Sequence, residues 1–317
     1  MVVVMEVNAS EDQIEAVIER MIDLGFNPSR TTGQRQTLIA GVGVGEIDLA
    51  SFNEMDGVRE AYRISSPYKL ASRVWKPERT RVALGAAEIG GARVVIMARP
   101  AKLDGAETCK AVAAAGAAGL VVGAAKARYG YEAVTAETLA KVRACASAHG
   151  LFVVAEVTEA SQLERLAPHC DGFQVGASQM QNYGLLAALG SGAKPVILER
   201  AVSASLEDAL LSAEAVLQGH NPNVILCERG MRTFDASIGT TMDIAAIPTA
   251  HKLSHLPIVA DPLRGVGRRD RVLPMARAAV AAGVDGLILD FHAEGNGPAE
   301  FREWVEQVRR VESVVPR

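Results

Sequence analysis

Apolar residues arrive along this chain in two different rhythms. Over the first 66 positions short units alternate. "VVVMEV" is strand-like, and "EDQIEAVIERMIDLG" carries apolar residues at helical spacing and stops at a glycine. "QTLIAGVGV" reads as a strand, "DLASFNEM" as a short helix and "VREAYRIS" as another strand. This pattern predicts a small α+β sandwich of the βαββαβ type. "SSPYKLASRVWKPE" follows, polar and punctuated by proline, and reads as a linker.

From residue 94 the rhythm changes. Short, continuous apolar runs recur: "VVIMA" (94–98), "GLVVG" (119–123), "FVVAEV" (152–157), "GFQV" (172–175), "PVILER" (195–200), "VILCER" (224–229), "LPIVAD" (256–261) and "GLILDF" (286–291). Helical patterns such as "TAETLAKVRACASAHG", "SLEDALLSAEAVLQG" and "RDRVLPMARAAVAAG" lie between them. Strand–helix units repeating at roughly 25–30 residues predict a (β/α)8 barrel. A doubly wound open sheet fits less well, because "GAAKARYG" after the second strand lacks the G-x-G-x-x-G spacing. "ALGAAEIGGAR" ahead of the first barrel strand reads as a hairpin closing the barrel floor. The expected organisation is a ferredoxin-like α+β domain over 1–66, a linker and floor hairpin over 67–93, and the α/β barrel over 94–317.

Composition adds exclusions. At 49% apolar but only 4% aromatic residues, the core is one of Ala, Val, Leu and Ile. A net charge of −4 gives no bias toward nucleic acid or a membrane surface, so neither is expected as a partner. No apolar run approaches the roughly 18 residues that span a bilayer. "MVVVMEV" lacks a basic leader and reads as a first strand rather than a signal peptide. Cys109, Cys145, Cys170 and Cys227 show no CxxC spacing and read as reduced, mostly buried thiols of a cytoplasmic protein.

Barrel chemistry sits at the C-terminal ends of the strands. In order, those ends bring Arg99 and Lys102; Lys126 and Arg128; Glu156; Ser178 and Gln179; Glu199 and Arg200; Glu228, Arg229 and Arg232; Asp261, Arg264, Arg268 and Arg269; Asp290 and His292. A solvated rim would also carry charges. Several of these residues, however, directly extend buried strands, where a charge is costly unless paired or used. Planar guanidinium groups in such a place suit a small anionic metabolite bearing phosphate or carboxylate.

The segments "SSPYKLASR", "ILCERGMRTFD", "MDIAAIP", "SHLPIVADP" and "GRRD" closely resemble the 3-deoxy-7-phosphoheptulonate synthases of the class with an N-terminal ferredoxin-like regulatory domain. The resemblance runs from "GQRQT" to the "DFH" of the last barrel strand. It implies condensation of phosphoenolpyruvate with erythrose 4-phosphate on a divalent metal, opening the shikimate pathway. It also implies a homo-oligomer and an amino-acid or aromatic effector at the small domain.

The family pattern does not survive intact. Where it reads G-P-C-S with a ligating cysteine, this chain has "RPAK", with Arg99 for the glycine and Ala101 for the cysteine. Where it reads D-P-S-H with a ligating histidine, Arg264 stands in "DPLR". The family's glutamate in the last strand becomes Asp290, and the loop of the final aspartate ligand shortens to "AEGNGPAEF". Neither alanine nor arginine binds a cation, so no metal and no other cofactor is expected. A phosphate-binding arginine becomes Ser178 and a phosphate-binding lysine becomes Glu199. That reversed charge is expected to cost about several kcal/mol of phosphate binding.

Three readings follow. The first is a retooled, metal-independent enzyme acting on a different anionic carbonyl or cyclic metabolite. Its catalytic candidates are Lys126 as proton donor or Schiff base, with Glu156, Asp290 and His292 as acid/base groups. Its substrate-binding candidates are Arg99, Lys102, Arg128, Glu199, Arg229, Arg232, Asp261, Arg264, Arg268 and Arg269, with a guanidinium opposite Asp290 giving the charge a cation would have given. The second is a non-catalytic regulator in which Arg264 and Asp290 form a filling salt bridge. The third is a functional synthase with an unusual site.

Overall fold

The structure, a computed structural model, describes residues 1–33, 37–42, 48–63, 67–102, 106–123, 125–127, 130–132, 134–294 and 297–315. It divides into two compact units, Met1–Glu78 and Arg79–Arg317.

In the first unit, strands β1 (Val2–Met5), β2 (Asn27–Thr32), β3 (Thr37–Val42) and β4 (Val58–Tyr62) form a sheet in the order β2-β3-β1-β4. The pairings are antiparallel, with Val3 opposite both Ile39 and Ala61. Helix 11–23 begins on a reciprocal cap between Ser10 and Gln13, and buries Ile14, Val17 and Met21. It packs on one sheet face with Val3, Met5, Phe26, Ile39 and Phe52. The other face, Val2, Val4, Leu38 and Ala40, packs against Trp75. Residues 67–78 therefore fold with this unit; from sequence they read as linker. β2, polar and holding Pro28, is an edge strand that the apolar pattern did not announce.

The second unit opens with the hairpin β5 (Val82–Leu84) and β6 (Ala87–Ile89). Next come β7 (Val95–Pro100), β8 (Gly119–Val122), the short hairpin β9 (Ala125–Ala127) and β10 (Gly130–Glu132), β11 (Phe152–Val157), β12 (Gly172–Val175), β13 (Val196–Glu199) and β14 (Val224–Glu228). A second small hairpin, β15 (Met231–Arg232) and β16 (Thr240–Thr241), precedes β17 (Ile258–Ala260) and β18 (Gly286–Phe291). Eight of these strands close a parallel barrel in the order β11-β12-β13-β14-β17-β18-β7-β8. Each is buried almost throughout, as expected for parallel strands flanked by helices. Val95, Met97, Val121, Val154, Ile197, Ile225, Val259 and Ile288 fill the interior, and Val82, Leu84 and Ile89 of the floor hairpin join them. At Gly119 a Cβ would lie 2.3 Å from the Phe152 ring, so only glycine admits that ring.

One expectation fails in the outer helices. Cys109 on helix 106–114 and Cys145 on helix 136–148 are joined by a disulfide. Only Cys170 and Cys227 are free, buried thiols. The 36-residue separation hides the pair in sequence, whereas helices that follow neighbouring barrel strands lie side by side. Among the described residues no helix is long and apolar enough to cross a membrane.

Candidate active site at the barrel mouth

Register places Arg99 of β7 beside Asp290 of β18. Arg99 is 7% exposed. Its Nη1 donates to Asp261 Oδ2, and its Nη2 lies 3.6 Å from Glu199 Oε1. Asp261, wholly buried, uses its other oxygen to cap helix 262–266, accepting from the Arg264 N–H at 3.1 Å. Glu199 at the end of β13 accepts from the Gln174 amide and from the Ala177 N–H at 3.0 Å, with Arg229 Nε 3.6 Å away. A buried cation is thus held by two buried carboxylates, Glu199 at the end of β13 and Asp261 just past β17. Burial opposes the charge on Arg99, but Asp261, Glu199 and Asp290 hold its pKa above the ordinary range. Burial raises the pKa of Glu199, while Arg99 and Arg229 pull against it.

A cavity of about 160 Å³ opens over this cluster. Its walls carry Arg99, Arg229 and Arg264 against Glu156 and Glu199, with Thr158 and Ser178 beside them. Glu156 projects between Gly123 and Gly176: a Cβ at either would lie 2.7 or 2.6 Å from its carboxylate oxygens, so a side chain there would displace the carboxylate. Deeper in the wall, Arg200 donates through Nε and Nη2 to Glu228 Oε2 at 2.9 and 2.6 Å. Glu228 Oε1 accepts from the Gly230 N–H at 2.7 Å. Gly230 has φ +92° and lies against Gly265, where a Cβ would meet backbone at 2.6 Å.

The structure gathers some sequence candidates and disperses others. Arg99, Glu156, Glu199, Arg229, Arg264 and Asp261 converge. Lys102 does not enter the cavity, because it is exposed and pairs with Glu294 at 2.7 Å. Arg232 is exposed on β15. Arg268 is exposed and chelates Asp270 at 3.0 Å. Arg269 binds Glu300 and lies 5.5 Å from the Trp304 ring centre. His292 is half-buried, and burial together with Arg269 lowers its pKa. Lys126 is on β9 by its backbone, and Arg128 lies outside the described residues. Among the described residues no ion pair joins Arg264 to Asp290; Arg99, not Arg264, is the buried arginine of this cluster. Arg200 stands among the strand-end charges of the sequence without a catalytic or binding role, and Gln174 is missing from that reading altogether. Gln174 leaves a trace in the sequence, as the single polar residue inside "GFQV".

The residues present do not fit the family's divalent cation. Ala101 offers no donor, Arg264 no lone pair, and Asp261 is spent on Arg99. Among the described residues no group of three His, Cys, Asp or Glu side chains could hold a metal ion. Asp290 Oδ2 is buried without a hydrogen-bond partner. Burial and the charge of Asp261 push the Asp290 pKa up to about 6, against the pull of Arg99, Arg264 and Arg269.

A carboxyl whose folded pKa is raised stabilises the fold fully below its unfolded pKa, and that contribution is lost as pH rises through the folded value. Asp290→Asn is therefore expected to stabilise the protein by about 1–3 kcal/mol above pH 6, the gain fading toward pH 4. Urea melts across that range check it, and a gain independent of pH would refute the assignment.

Comparison with known proteins places this geometry. Residues 83–300 match the DAHP synthetase I family, and residues 1–66 match the DAHP synthase ferredoxin-like domain. The phospho-2-dehydro-3-deoxyheptonate aldolase of Thermotoga maritima is 36% identical over 302 residues, covering 93% of this chain and 89% of that protein. The crystal structure of a DAHP synthase from the same organism superposes with a TM-score of 0.74 at 33% identity, over 98% of this chain and 97% of that one. A 2-dehydro-3-deoxyphosphooctonate aldolase of Nitrobacter hamburgensis is 30% identical over 186 residues, 52% of this chain and 63% of that protein. Likeness of this extent overturns the expectation of a barrel retooled for a different metabolite, and favours the reading of a synthase with an unusual site. The physical reason is visible at Glu199, whose charge does not stand alone: Arg99 meets it across the barrel. The chain belongs to the DAHP synthetase I family.

Proposed function

We propose that the chain condenses phosphoenolpyruvate with erythrose 4-phosphate, releasing inorganic phosphate, and that guanidinium groups stand where relatives use a divalent cation. The observation carrying this reading is the mouth cavity, with three arginines against two glutamates, in a chain of this family. Phosphoenolpyruvate brings a carboxylate and a phosphate, both matched by guanidinium forks. Joining its methylene carbon to the aldehyde carbon turns the aldehyde oxygen into an alkoxide, which must be stabilised and protonated. Water then supplies the new oxygen at the carbon that loses phosphate.

In this reading Arg264, in the cavity wall, steadies the developing oxyanion. Arg99 and Arg229 hold the anionic substrate, and Glu156 moves the proton. The relocated pair explains how Glu199 is tolerated, because Arg99 returns to the cavity floor the cation that the end of β13 no longer carries.

Inorganic phosphate release that depends on erythrose 4-phosphate, together with the mass of the seven-carbon product, tests the reaction. Release is expected both as purified and after dialysis against a chelator. No release even with added Mn²⁺ sinks the reaction. Release that appears only with added metal sinks the arginine substitution alone.

A further inference from the structure

We propose that Cys109 and Cys145 form a reversible redox site, exchanging with low-molecular-weight thiols. The two cysteines sit on helices that follow neighbouring barrel strands, with Cα atoms 6.2 Å apart, inside the range a disulfide spans. They share the wall of a cavity of about 240 Å³ with Thr108 and Lys141, away from the barrel mouth. Cys109 is 3% exposed, whereas Cys145 is half-buried, so an incoming thiolate reaches the Cys145 sulfur through the cavity.

Lys141 precedes Cys145 by one helical turn and lines the same cavity, while its exposed ammonium pairs with Glu137 at 2.7 Å on the helix surface. The exchange balances in two steps. A small thiolate attacks the Cys145 sulfur, forming a mixed disulfide and expelling Cys109 as a thiolate that takes up the proton the small thiol gave. A second small thiol then displaces Cys145, and the two small thiols leave as their disulfide, having passed two electrons to the protein.

The bond staples the helix that follows β7, the Arg99 strand, to the helix that follows the β9–β10 hairpin bearing Lys126. Opening it loosens these two helices and leaves the opposite side of the barrel untouched. This inference does not depend on the reaction proposed above.

Full-length protein equilibrated in oxidised or reduced glutathione, then alkylated after denaturation, tests it by intact mass. Two labels are expected in the oxidised state, on Cys170 and Cys227, and four in the reduced state. A linked Cys109–Cys145 peptide should appear only in the first. Four labels in both buffers, or two in both, overturns the proposal. Amide exchange in 136–148 is expected to quicken about tenfold on reduction, with helix 206–218, which follows β13 on the opposite side of the barrel, unchanged. Cys145→Ser should show the fast exchange in either buffer. Equal exchange in the two states overturns the coupling to the helices.

Discussion

Replacing Arg99 by Met is expected to unfold the cavity's electrostatics and to cost about 3–5 kcal/mol of stability, as when one partner of a buried ion pair is removed. The variant leaves Asp261 and Glu199 buried with no cation between them, and Asp290 beside them. Glu199 and Asp290, whose pKa values burial already raises, then lose the guanidinium that pulled against that shift, with Arg229, Arg264 and Arg269 left near, so both rise further. For the anionic substrate the consequence is loss of a charge-assisted contact, and an increase in KM for phosphoenolpyruvate of about 10- to 100-fold.

Two companion variants separate folding from binding. Arg99→Lys keeps the charge but not the fork that spans two carboxylates, and should recover stability more than KM. Arg99→Met with Glu199→Gln removes cation and anion together, and should restore stability while leaving KM high. Urea melts and steady-state kinetics on the three variants decide the matter. Unchanged stability and KM in Arg99→Met would remove Arg99 from both roles.

The barrel was legible in the sequence because parallel strands buried on both faces appear as uninterrupted apolar runs; seven of the eight lie within the segments so read, and β7 runs two residues past its segment to Pro100. β2 was not, since an edge strand such as "NPSRTT" has no buried face to enforce a pattern. In the site, charge type was legible but partnership was not. Arg99 and Glu199 lie one hundred positions apart on strands that are not neighbours in the barrel, so no spacing links them. Arg269 likewise meets a distant partner, Glu300, thirty-one positions on, whereas the partner of Arg268, Asp270, stands within "GRRD" itself. Substitutions read one position at a time register a lost lysine and a gained glutamate. Read as a pair across the barrel, they are a cation moved from β13 to β7.

The deeper pair of Arg200 and Glu228 carries the second large expected effect. Both are nearly fully buried, at 6% and 1% exposure, and the guanidinium also reaches Asp243 at 3.2 Å. Glu228 has a pKa already raised by burial and pulled back by Arg200 and the Gly230 N–H. Arg200→Met removes the larger of those two counterweights, and about 3–5 kcal/mol of stability is expected to go with it.

The sign of the pH dependence follows from the same shift. Without Arg200 the Glu228 pKa rises further, so its ionisation destabilises the fold as pH climbs. The deficit is thus larger at pH 8 than at pH 5. Arg200→Met with Glu228→Gln leaves an amide oxygen for the Gly230 N–H and no buried charge, and should recover at least half of the loss and flatten the pH dependence. Melts of the single and double variants at both pH values measure the coupling. A single variant within about 1 kcal/mol of the parent would refute this expectation, since Glu228 would then not be left an unpaired buried charge, water reaching it once the guanidinium is gone.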